Sequence, residues 1–483
     1  MEKKLVIDPI TRVEGHGKVT IHLDEAGQVD KAYLHIVEFR GFERFIQGHP
    51  YWEAPVLVQR LCGICPVSHH LAAAKAIDQL VGIDPSDLSP TAEKLRRLLH
   101  YAQVFQSHAL HFFYLASPDL LFGMDADPAR RNIVGVAMAD RELARKGILM
   151  RKFGQELIKA IAGKKIHGIA AVPGGIHKVL TTTERDRFLQ GNGIPSIDAM
   201  IQWSQEVIQF VKNFHYKNAA WIDQFAQFPS GHMGLVGENG EFELYHGRLR
   251  AIDGEGRITL NDVPNDQYHR YIAEGVEKWS YMKFPYLKHL GRETGWNRVG
   301  PLARINLTSK IPTPLAEWER QIFMAHSPGW PNHSTMFYHW ARIIELLHCA
   351  EVMKKLLNDP DILGGELRRE GEHRTEGIGI IEAPRGTLVH HYQVDAKGQI
   401  TKCNLIVSTT YNNEAMNEAV RWVARNELAG KDHISEGMLN RVETAIRAYD
   451  PCLSCATHAI GQMPLQLQLF GPNGEILDEY AKW

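Results

Sequence analysis

The sequence is poor in cysteine and has no long apolar run. Only six cysteines occur in 483 residues, and two of them, Cys349 and Cys403, are isolated, so no disulfide framework can be recognised. A reducing cytoplasm fits this usage best. No stretch approaches the roughly 20 apolar residues that a membrane helix needs. The N-terminus has two lysines but lacks the apolar segment of a secretory signal, so we expect a cytoplasmic protein without a membrane span.

An excess of charge of either sign is also missing. Lys and Arg number 54 and Asp and Glu number 56, which gives a formal net charge of −2. This balance argues against nucleic-acid binding. The chain contains no internal repeat, low-complexity segment or clean linker, and its 44% hydrophobic residues are enough for a large buried core.

The four remaining cysteines form two C-x2-C pairs at opposite ends of the chain, within residues 60–69 and 450–458, and a histidine follows each pair. A two-residue gap lets both thiolates of a pair bind one metal ion, and two pairs can provide four thiolates. Structural zinc is the plainest interpretation, and an iron–sulfur cluster is a second. Nickel or iron with open coordination positions is a third. Spacing alone does not distinguish these three.

Hydrophobic periodicity predicts a chain dominated by helices. Because the two cysteine pairs must meet and the chain between them is rich in helices, we predict one intertwined domain that is mainly α with small β elements (α+β). Predicted helices cover residues 66–81, 89–115, 128–162, 196–225, 314–325, 334–357, 414–425 and 435–448. Ser89-Pro90 is a good N-cap and N1 pair for the second of these helices. Thr181-x-x-Glu184 is a capping box that opens a helical region, which residues 191–195 interrupt and residues 196–225 resume. Predicted strands cover residues 17–23, 31–38, 242–245, 248–252, 257–260, 378–381, 388–394 and 405–407.

Three polar segments stand out because a structural zinc ribbon does not need them. They are residues 11–16, 40–43 and 382–386, which include Glu14, Glu43 and Arg385. Singly, each has an ordinary explanation: either glutamate can be an exposed acid, and the arginine can be a structural salt-bridge partner.

Taken together with the cysteine pairs, these segments resemble the large, catalytic subunit of the nickel–iron hydrogenases. The resemblance extends over residues 11–16, 40–43, 60–69, 382–386, 405–412 and 450–458, which span almost the whole chain. The sequences of residues 38–43 and 65–70 are most similar to those of the cytoplasmic, bidirectional, NAD-linked branch of the family. The resemblance implies the helix-rich fold of that subunit and reversible oxidation of dihydrogen with NAD as the eventual acceptor. A hydrogenase with a deazaflavin or ferredoxin-linked carrier is one alternative, and a structural four-cysteine zinc protein is another.

The resemblance implies that the four cysteines bind nickel and that the second of each pair also binds iron. The nickel ligands would be Cys62, Cys65, Cys452 and Cys455, with Cys65 and Cys455 bridging to an iron that has two cyanide ligands and one carbon monoxide. Dihydrogen would be split heterolytically. Cys452 would accept the proton, and Glu14 would pass it onward.

Four more residues are implied to surround the metals. Arg385 would hold one cyanide and polarise bound gas, and Thr409 would donate a hydrogen bond to the other cyanide. His69 would contact the sulfurs and Asp450 the arginine. The related pattern often has proline where this chain has Ser408.

A second cation site and a set of partners are implied as well. Glu43, the backbone carbonyl of Leu405 and His458 match a site for a hard cation, usually magnesium with several waters. The few cysteines leave no room for an iron–sulfur relay, so electrons would pass to a small iron–sulfur subunit and then to diaphorase subunits with FMN and NAD. No G-x-G-x-x-G strand–turn–helix is visible here, which fits NAD binding on a partner.

The segment that follows His458 completes the resemblance. Matured relatives end at that histidine, so we predict a domain over residues 1–458 and a C-terminal extension over 459–483. Nickel-insertion factors would act first, and a maturation endopeptidase would then remove the extension. The alternative is a permanent C-terminal strand.

Overall fold

The computed structural model describes residues 3–431, 433–457, 465–471 and 476–482. The α-helices in this part of the chain are α1 Phe42–Phe45, α2 Ala54–Leu57, α3 Pro66–Leu80, α4 Pro90–Leu110, α5 Ser117–Phe122, α6 Ile133–Ala139, α7 Arg141–Ala162, α8 Thr182–Gln190, α9 Ile197–Lys217, α10 Ala219–Ile222, α11 Tyr268–Tyr271, α12 Gly291–Thr294, α13 Pro301–Leu307, α14 Pro314–His326, α15 Phe337–Leu357, α16 Ser408–Tyr411, α17 Asn413–Val423 and α18 Glu436–Ala448.

The strands are short and form several small sheets. They are β1 Lys3–Ile7, β2 Gly17–Leu23, β3 Val29–Ile36, β4 Ala171–Val172, β5 Gly175–Ile176, β6 Gly231–Val236, β7 Arg248–Ile252, β8 Ile258–Val263, β9 Ile272–Glu277, β10 Ser280–Leu287, β11 Asn297–Arg298, β12 Glu376–Ala383, β13 Gly386–Val394, β14 Ile400–Ile406, β15 Leu465–Phe470 and β16 Ile476–Lys482. The larger sheets have the orders β1-β2-β3, β12-β13-β14 and β11-β6-β7-β8. The prediction of a mainly helical chain with small β elements is confirmed.

Local sequence signals explain several helix starts. The hydroxyl of Ser89 accepts a hydrogen bond from the backbone N–H of Ala92, which caps α4 ahead of Pro90. Thr181 and Glu184 form a reciprocal capping box at the start of α8.

The single helix predicted over residues 128–162 is wrong. Two helices, α6 and α7, occupy this stretch and meet at Asp140, which leaves the helical conformation at φ −142 and ψ 89. Its carboxylate accepts a hydrogen bond of 2.9 Å from the N–H of Leu143 and so caps the second helix. A short polar side chain that bonds to nearby backbone can end one helix and begin another even where the apolar periodicity continues.

The core is built around α15. This helix packs against α4, α9 and α14, and α4 also packs against α7. Both Trp340 and Leu346 of α15 are fully buried, and apolar residues lie on all sides of the helix, as expected for one at the centre of a large core. No helix among the described residues is long and apolar enough to cross a bilayer.

Helix α3 lies directly against the sheet β12-β13-β14, and this contact positions the first cysteine pair. A Cβ at Gly379 of β12 would lie 1.9 Å from the carbonyl oxygen of Ala72, so only glycine allows the two backbones to approach so closely. Cys65 is the N-cap of α3. The hairpin that joins β12 to β13 pairs Ala383 with Gly386. The first cysteine pair is therefore fixed near this hairpin turn, which contains Arg385.

Candidate metal centre

The two cysteine pairs meet in the interior. The Sγ atom of Cys62 lies 3.0 Å from that of Cys65 and 3.4 Å from that of Cys452. The Sγ atom of Cys455 lies 2.9 Å from that of Cys452 and 3.9 Å from that of Cys65. All four side chains are buried, and their sulfurs lie within 4.8 Å of one another. Four soft sulfur donors at these distances can surround one metal ion.

Burial and mutual contacts shift the pKa values of these thiols in opposite directions. Burial raises the pKa of Cys452 and Cys455 well above the ordinary value. Burial acts in the same direction on Cys62, but hydrogen bonds from the neighbouring thiols, chiefly Cys452, hold the pKa of Cys62 well below its usual range. The N–H groups of Ile64 and Cys65 also point at the Cys62 sulfur, at 3.2 and 3.1 Å. A divalent cation between the sulfurs would favour the thiolate form of all four.

Glu14 contacts the second cysteine pair through both carboxylate oxygens. The thiol of Cys452 lies 2.8 Å from Oε2, and the hydroxyl of Ser454 donates to Oε1 over 2.5 Å. The backbone of Leu453 also donates to the Glu14 carbonyl over 3.0 Å. Gly15 has φ +84, and a Cβ there would lie 2.8 Å from Cβ of Leu453, so a larger residue would push the two segments apart. Glu14 is half-buried, with one oxygen on the sulfur side and the other on the hydroxyl side.

A buried network fixes the segment that precedes Glu14. Asp119 accepts hydrogen bonds of 2.5 Å from Arg12 and 2.5 Å from Arg447. Arg447, on α18, also donates to the carbonyl of Thr11 over 3.0 Å. The position of Glu14 therefore depends on α5 and α18, which lie far from it in the sequence.

Arg385 is buried and held beside the sulfurs. Its Nε donates to the carbonyl of Asp450 over 2.5 Å, and its Nη2 donates to the Asp450 carboxylate over 3.0 Å. A third donor, Nη1, lies 3.3 Å from the hydroxyl of Ser107. Burial alone would lower the pKa of Arg385, but the Asp450 carboxylate and the cysteine sulfurs raise it well above the ordinary value. The guanidinium is therefore a fixed positive charge next to the four cysteines.

A small cavity lies between Arg385 and the sulfurs, bounded by Cys65 and Cys452. Its lining combines side chains that can donate hydrogen bonds with apolar ones. Thr409 accepts a hydrogen bond from the N–H of Cys452 over 3.0 Å, which leaves its own hydroxyl proton able to donate. Ser408 donates to the carbonyl of Gly386 over 2.7 Å, a bond that proline could not make. The rest of the lining is His69, Ala383, Pro384, Leu388 and Val407.

His69 also lines this cavity and begins a buried chain of polar groups. Its Nδ1 lies 3.1 Å from Nε2 of His390, and Nδ1 of His390 lies 2.7 Å from the hydroxyl of Tyr392. All three side chains are buried. The ring of His69, which lines the cavity together with Cys65 and Cys452, is thus held in place by His390 on β13.

Two of the three residues predicted for a hard-cation site are brought together. The buried carboxylate of Glu43 accepts a hydrogen bond of 2.8 Å from the N–H of Leu405. A carboxylate beside the backbone of a neighbouring strand offers the oxygen ligands that magnesium prefers. His458 lies outside the described residues.

Comparison with known proteins agrees with this geometry. Residues 40–140 and 238–458 match the family described as nickel-dependent hydrogenase, and residues 4–39 match one described as HoxL-like. The chain is 52% identical to the beta subunit of the NAD-reducing hydrogenase HoxS of Cupriavidus necator, over 100% of both chains.

The chain belongs to the nickel-dependent hydrogenase family.

Solved hydrogenases show the same fold. The crystal structure of an NAD+-reducing NiFe-hydrogenase in the H2-reduced state superposes with a TM-score of 0.91 and 54% identity, over 94% of this chain and 99% of that chain. The Ni-Fe-Se hydrogenase from D. vulgaris Hildenborough superposes with a TM-score of 0.75 over 95% of this chain and 100% of that chain, and at 22% identity it supports the fold alone. Family membership favours a nickel–iron centre over the structural zinc site that cysteine spacing also allowed.

Sequence reasoning about this hydrogenase subunit missed several residues of the site. Ser454 lies inside the second C-x2-C pair, so a hydroxyl between two metal ligands was a usable signal. Ser107 lies on α4 and contacts Arg385. The apolar stripe of this helix indicates only that the helix packs in the core, and it does not single out Ser107. His390 and Tyr392 lie on a buried strand, where alternate polar residues mark a face that is not purely apolar.

Proposed function

We propose that this chain is the catalytic subunit of an NAD-reducing nickel–iron hydrogenase, which splits dihydrogen heterolytically and reversibly. The observation that carries the proposal is the contact between Cys452 and Glu14, because a metal-binding sulfur 2.8 Å from a carboxylate can release a proton to it. The full-length similarity to a subunit named NAD-reducing hydrogenase supports NAD as the eventual acceptor.

The four cysteine sulfurs would hold nickel, and Cys65 and Cys455 would also bind iron. Soft, polarisable thiolates suit both metals, and a site in which the protein supplies only sulfur leaves positions free for small ligands. Bound there, the two metals would polarise dihydrogen and take up its electrons. The protein supplies everything else: the proton acceptors, the fixed positive charge and the dry surroundings.

Proton movement begins at Cys452. Its sulfur would take the proton from dihydrogen and pass it to Oε2 of Glu14, which lies within hydrogen-bond distance. On the other side of the carboxylate, Oε1 is bonded to the hydroxyl of Ser454, which is only partly buried. A carboxylic acid that rotates or shifts its proton between two oxygens can link a buried sulfur to a more exposed hydroxyl.

Arg385 and Thr409 would hold the diatomic ligands of the iron. A buried guanidinium can donate charge-assisted hydrogen bonds to a cyanide, and a hydroxyl can donate to a second one. Asp450 fixes the guanidinium through two bonds, and His69 lines the same cavity. The apolar remainder of the cavity suits carbon monoxide, which is a poor hydrogen-bond acceptor.

Electrons would leave through a partner. Among the residues that the structure describes, the four cysteines form the one group found with metal-ligand geometry, so this part of the chain has no second cluster to conduct electrons. Gly63, in the loop between the first two cysteines, is exposed, which places the metal site one residue from the surface there. A small iron–sulfur subunit docked over this loop, followed by diaphorase subunits with FMN, would complete the path to NAD in the cytoplasm.

The remaining parts of the proposal concern assembly. Glu43, the carbonyl of Leu405 and His458 would bind magnesium, which would tie the end of the mature chain to β14. Nickel-insertion factors would fill the site while residues 459–483 are still attached, and a maturation endopeptidase would then cut after His458. There is a physical reason for the metals to enter before the extension is removed, because the second cysteine pair must afterwards be buried beside the first.

The purified native complex tests the proposal. We expect hydrogen-dependent formation of NADH, with nickel and iron in near-equal amounts and negligible zinc. Hydrogen oxidation with a deazaflavin or a ferredoxin-linked acceptor, but not with NAD+, would support the alternative carrier. Zinc alone, with no hydrogen turnover, would overturn the proposal.

A further inference from the structure

A buried arginine outside the cysteine site makes an unusual set of contacts. Arg304, on α13, donates two parallel hydrogen bonds to the carboxylate of Glu345, over 2.6 and 2.7 Å. Its Nη1 also donates to the carboxylate of Glu382 over 2.6 Å. The same guanidinium reaches two backbone carbonyls, that of Ala383 at 3.1 Å and that of Pro384 at 3.3 Å. Arg304, Glu345 and Glu382 are fully buried.

Those two carbonyls belong to the turn that presents Arg385 to the metal site. Ala383 pairs with Gly386, so Pro384 and Arg385 are the two residues of the hairpin turn. The side chain of Arg385 is held from the other side by Asp450. On the backbone side, a Cβ at Gly300 would lie only 2.7 Å from the carbonyl oxygen of Arg385, so the start of α13 is pressed against the turn.

Both charges of the supporting pair persist at neutral pH. Burial opposes ionisation of Glu345, but the Arg304 guanidinium lowers the pKa of Glu345 to about 2. Nε2 of His108, on α4, lies 2.8 Å from Oε2 of that carboxylate, the oxygen that also accepts from Nη2 of Arg304. Helix α15, strand β12 and the β12–β13 turn therefore all contact the guanidinium that α13 provides, and α4 contacts the same Glu345 carboxylate.

The energetics suggest a role other than stability. A buried ion pair is often no more stabilising than well-packed apolar residues of the same size, because both charges lose their hydration. Such a network does restrict geometry: a planar fork with five donors fixes its partners in one arrangement. Because the Arg304 guanidinium donates hydrogen bonds to the backbone carbonyls of the turn that contains Arg385, it is well placed to hold that turn at one distance from the metal site.

We infer that Arg304 is a positioning residue that fixes the Arg385 turn, and so sets the distance between the Arg385 guanidinium and the ligands of the iron. The inference rests on the proposed nickel–iron centre with cyanide and carbon monoxide. Glu345 acts with Arg304, because it holds Nε and Nη2 of the guanidinium and leaves Nη1 directed at Glu382 and the carbonyl of Ala383.

The variant Arg304→Lys tests this in the native complex. Lysine keeps the charge but cannot make five bonds in a plane, so the turn loses its two carbonyl contacts. We expect unchanged nickel and iron content, a displacement of the cyanide bands in the infrared spectrum, and a fall in kcat of about 10- to 100-fold, since small misplacements of catalytic groups have effects of this size.

Arg96→Lys is the matched control. Arg96 is equally buried, is paired with Asp78 and donates to backbone carbonyls, but it contacts neither Arg385 nor its turn. Both variants should lower the Tm, and only Arg304→Lys should displace the cyanide bands. Cyanide bands at their wild-type positions in Arg304→Lys would overturn the inference.

A second variant covers a failure to fold. Glu345→Gln keeps the shape of the side chain but weakens the bonds that orient Arg304, and it should displace the same bands. If Arg304→Lys does not fold, wild-type bands in Glu345→Gln would overturn the inference. Wild-type protein without cyanide or carbon monoxide bands would overturn the proposed function itself, and with it this inference, so the two failures are distinguishable.

Discussion

Replacing Glu14 with glutamine separates proton transfer from metal assembly. Glutamine keeps the shape and one acceptor oxygen, but its amide cannot release a proton at neutral pH. Because the Cys452 sulfur lies 2.8 Å from Oε2, the carboxylate is the nearest proton acceptor that the structure offers it. General acid–base catalysis contributes about 10²- to 10⁴-fold, so Glu14→Gln should reduce hydrogen oxidation by at least about 100-fold, or roughly 2.7 kcal/mol in the barrier.

Stability should change little in this variant. Glu14 is half-buried, and an amide oxygen can still accept the hydrogen bond from Ser454. We therefore expect the free energy of unfolding to change by less than about 1 kcal/mol. Nickel and iron content should stay at the wild-type level.

The assay combines hydrogen-dependent acceptor reduction with an infrared spectrum and metal analysis of the same sample. The matched control is Glu184→Gln, because that carboxylate also accepts bonds from a neighbouring hydroxyl and N–H, those of Thr181, outside the metal site. The control should turn over normally. Normal turnover in Glu14→Gln would remove Glu14 from the proton path, and loss of the metals would make its role structural.

Three further predictions concern assembly, pH and processing. Cys455→Ser should lose iron along with nickel, because a hydroxyl is a poor bridging ligand for soft metals; full metal content by elemental analysis would make the bridging assignment wrong. Burial lowers the pKa of His70 from 6.5 to about 4, so between these pH values the imidazole is protonated in the unfolded chain and neutral in the folded chain. The free energy of unfolding that this residue contributes above pH 6.5 is therefore lost as the pH falls toward 4, by about 3 kcal/mol. In denaturant titrations over this pH range, the free energy of unfolding of His70→Gln should fall less than that of the wild type. The active subunit should end at His458 by intact mass; a fully active subunit that still includes Trp483 would contradict cleavage.

Signals between residues close in sequence predicted several helix starts and indicated that the two cysteine pairs bind a metal. The Ser89-Pro90 pair and the Thr181 capping box depend on residues within one turn of each other, and both form as expected. The C-x2-C pairs are equally local. By contrast, the helix break at Asp140 was missed because the apolar stripe continues across it, and only the capping bond reveals it.

The arrangement of the site depends on contacts between distant residues, which periodicity cannot supply. Glu14 and Cys452 are 438 positions apart, and the segment before Glu14 is held in place by Arg12 and Arg447, which share Asp119. The resemblance to hydrogenases suggested that Glu14 and Cys452 act together, but it did not indicate what holds them. The grip of Arg304 on the Arg385 turn likewise follows from three-dimensional packing alone, since an isolated arginine on a short helix has no distinctive sequence pattern.

The most direct test of the nickel–iron assignment is an infrared spectrum of the native protein. Cyanide and carbon monoxide bound to a metal absorb in a window where polypeptide does not. The account predicts bands from both ligands, and it predicts that they shift when the sample is exposed to hydrogen. A protein with hydrogen turnover and a full complement of nickel, but without any band in this window, would contradict it.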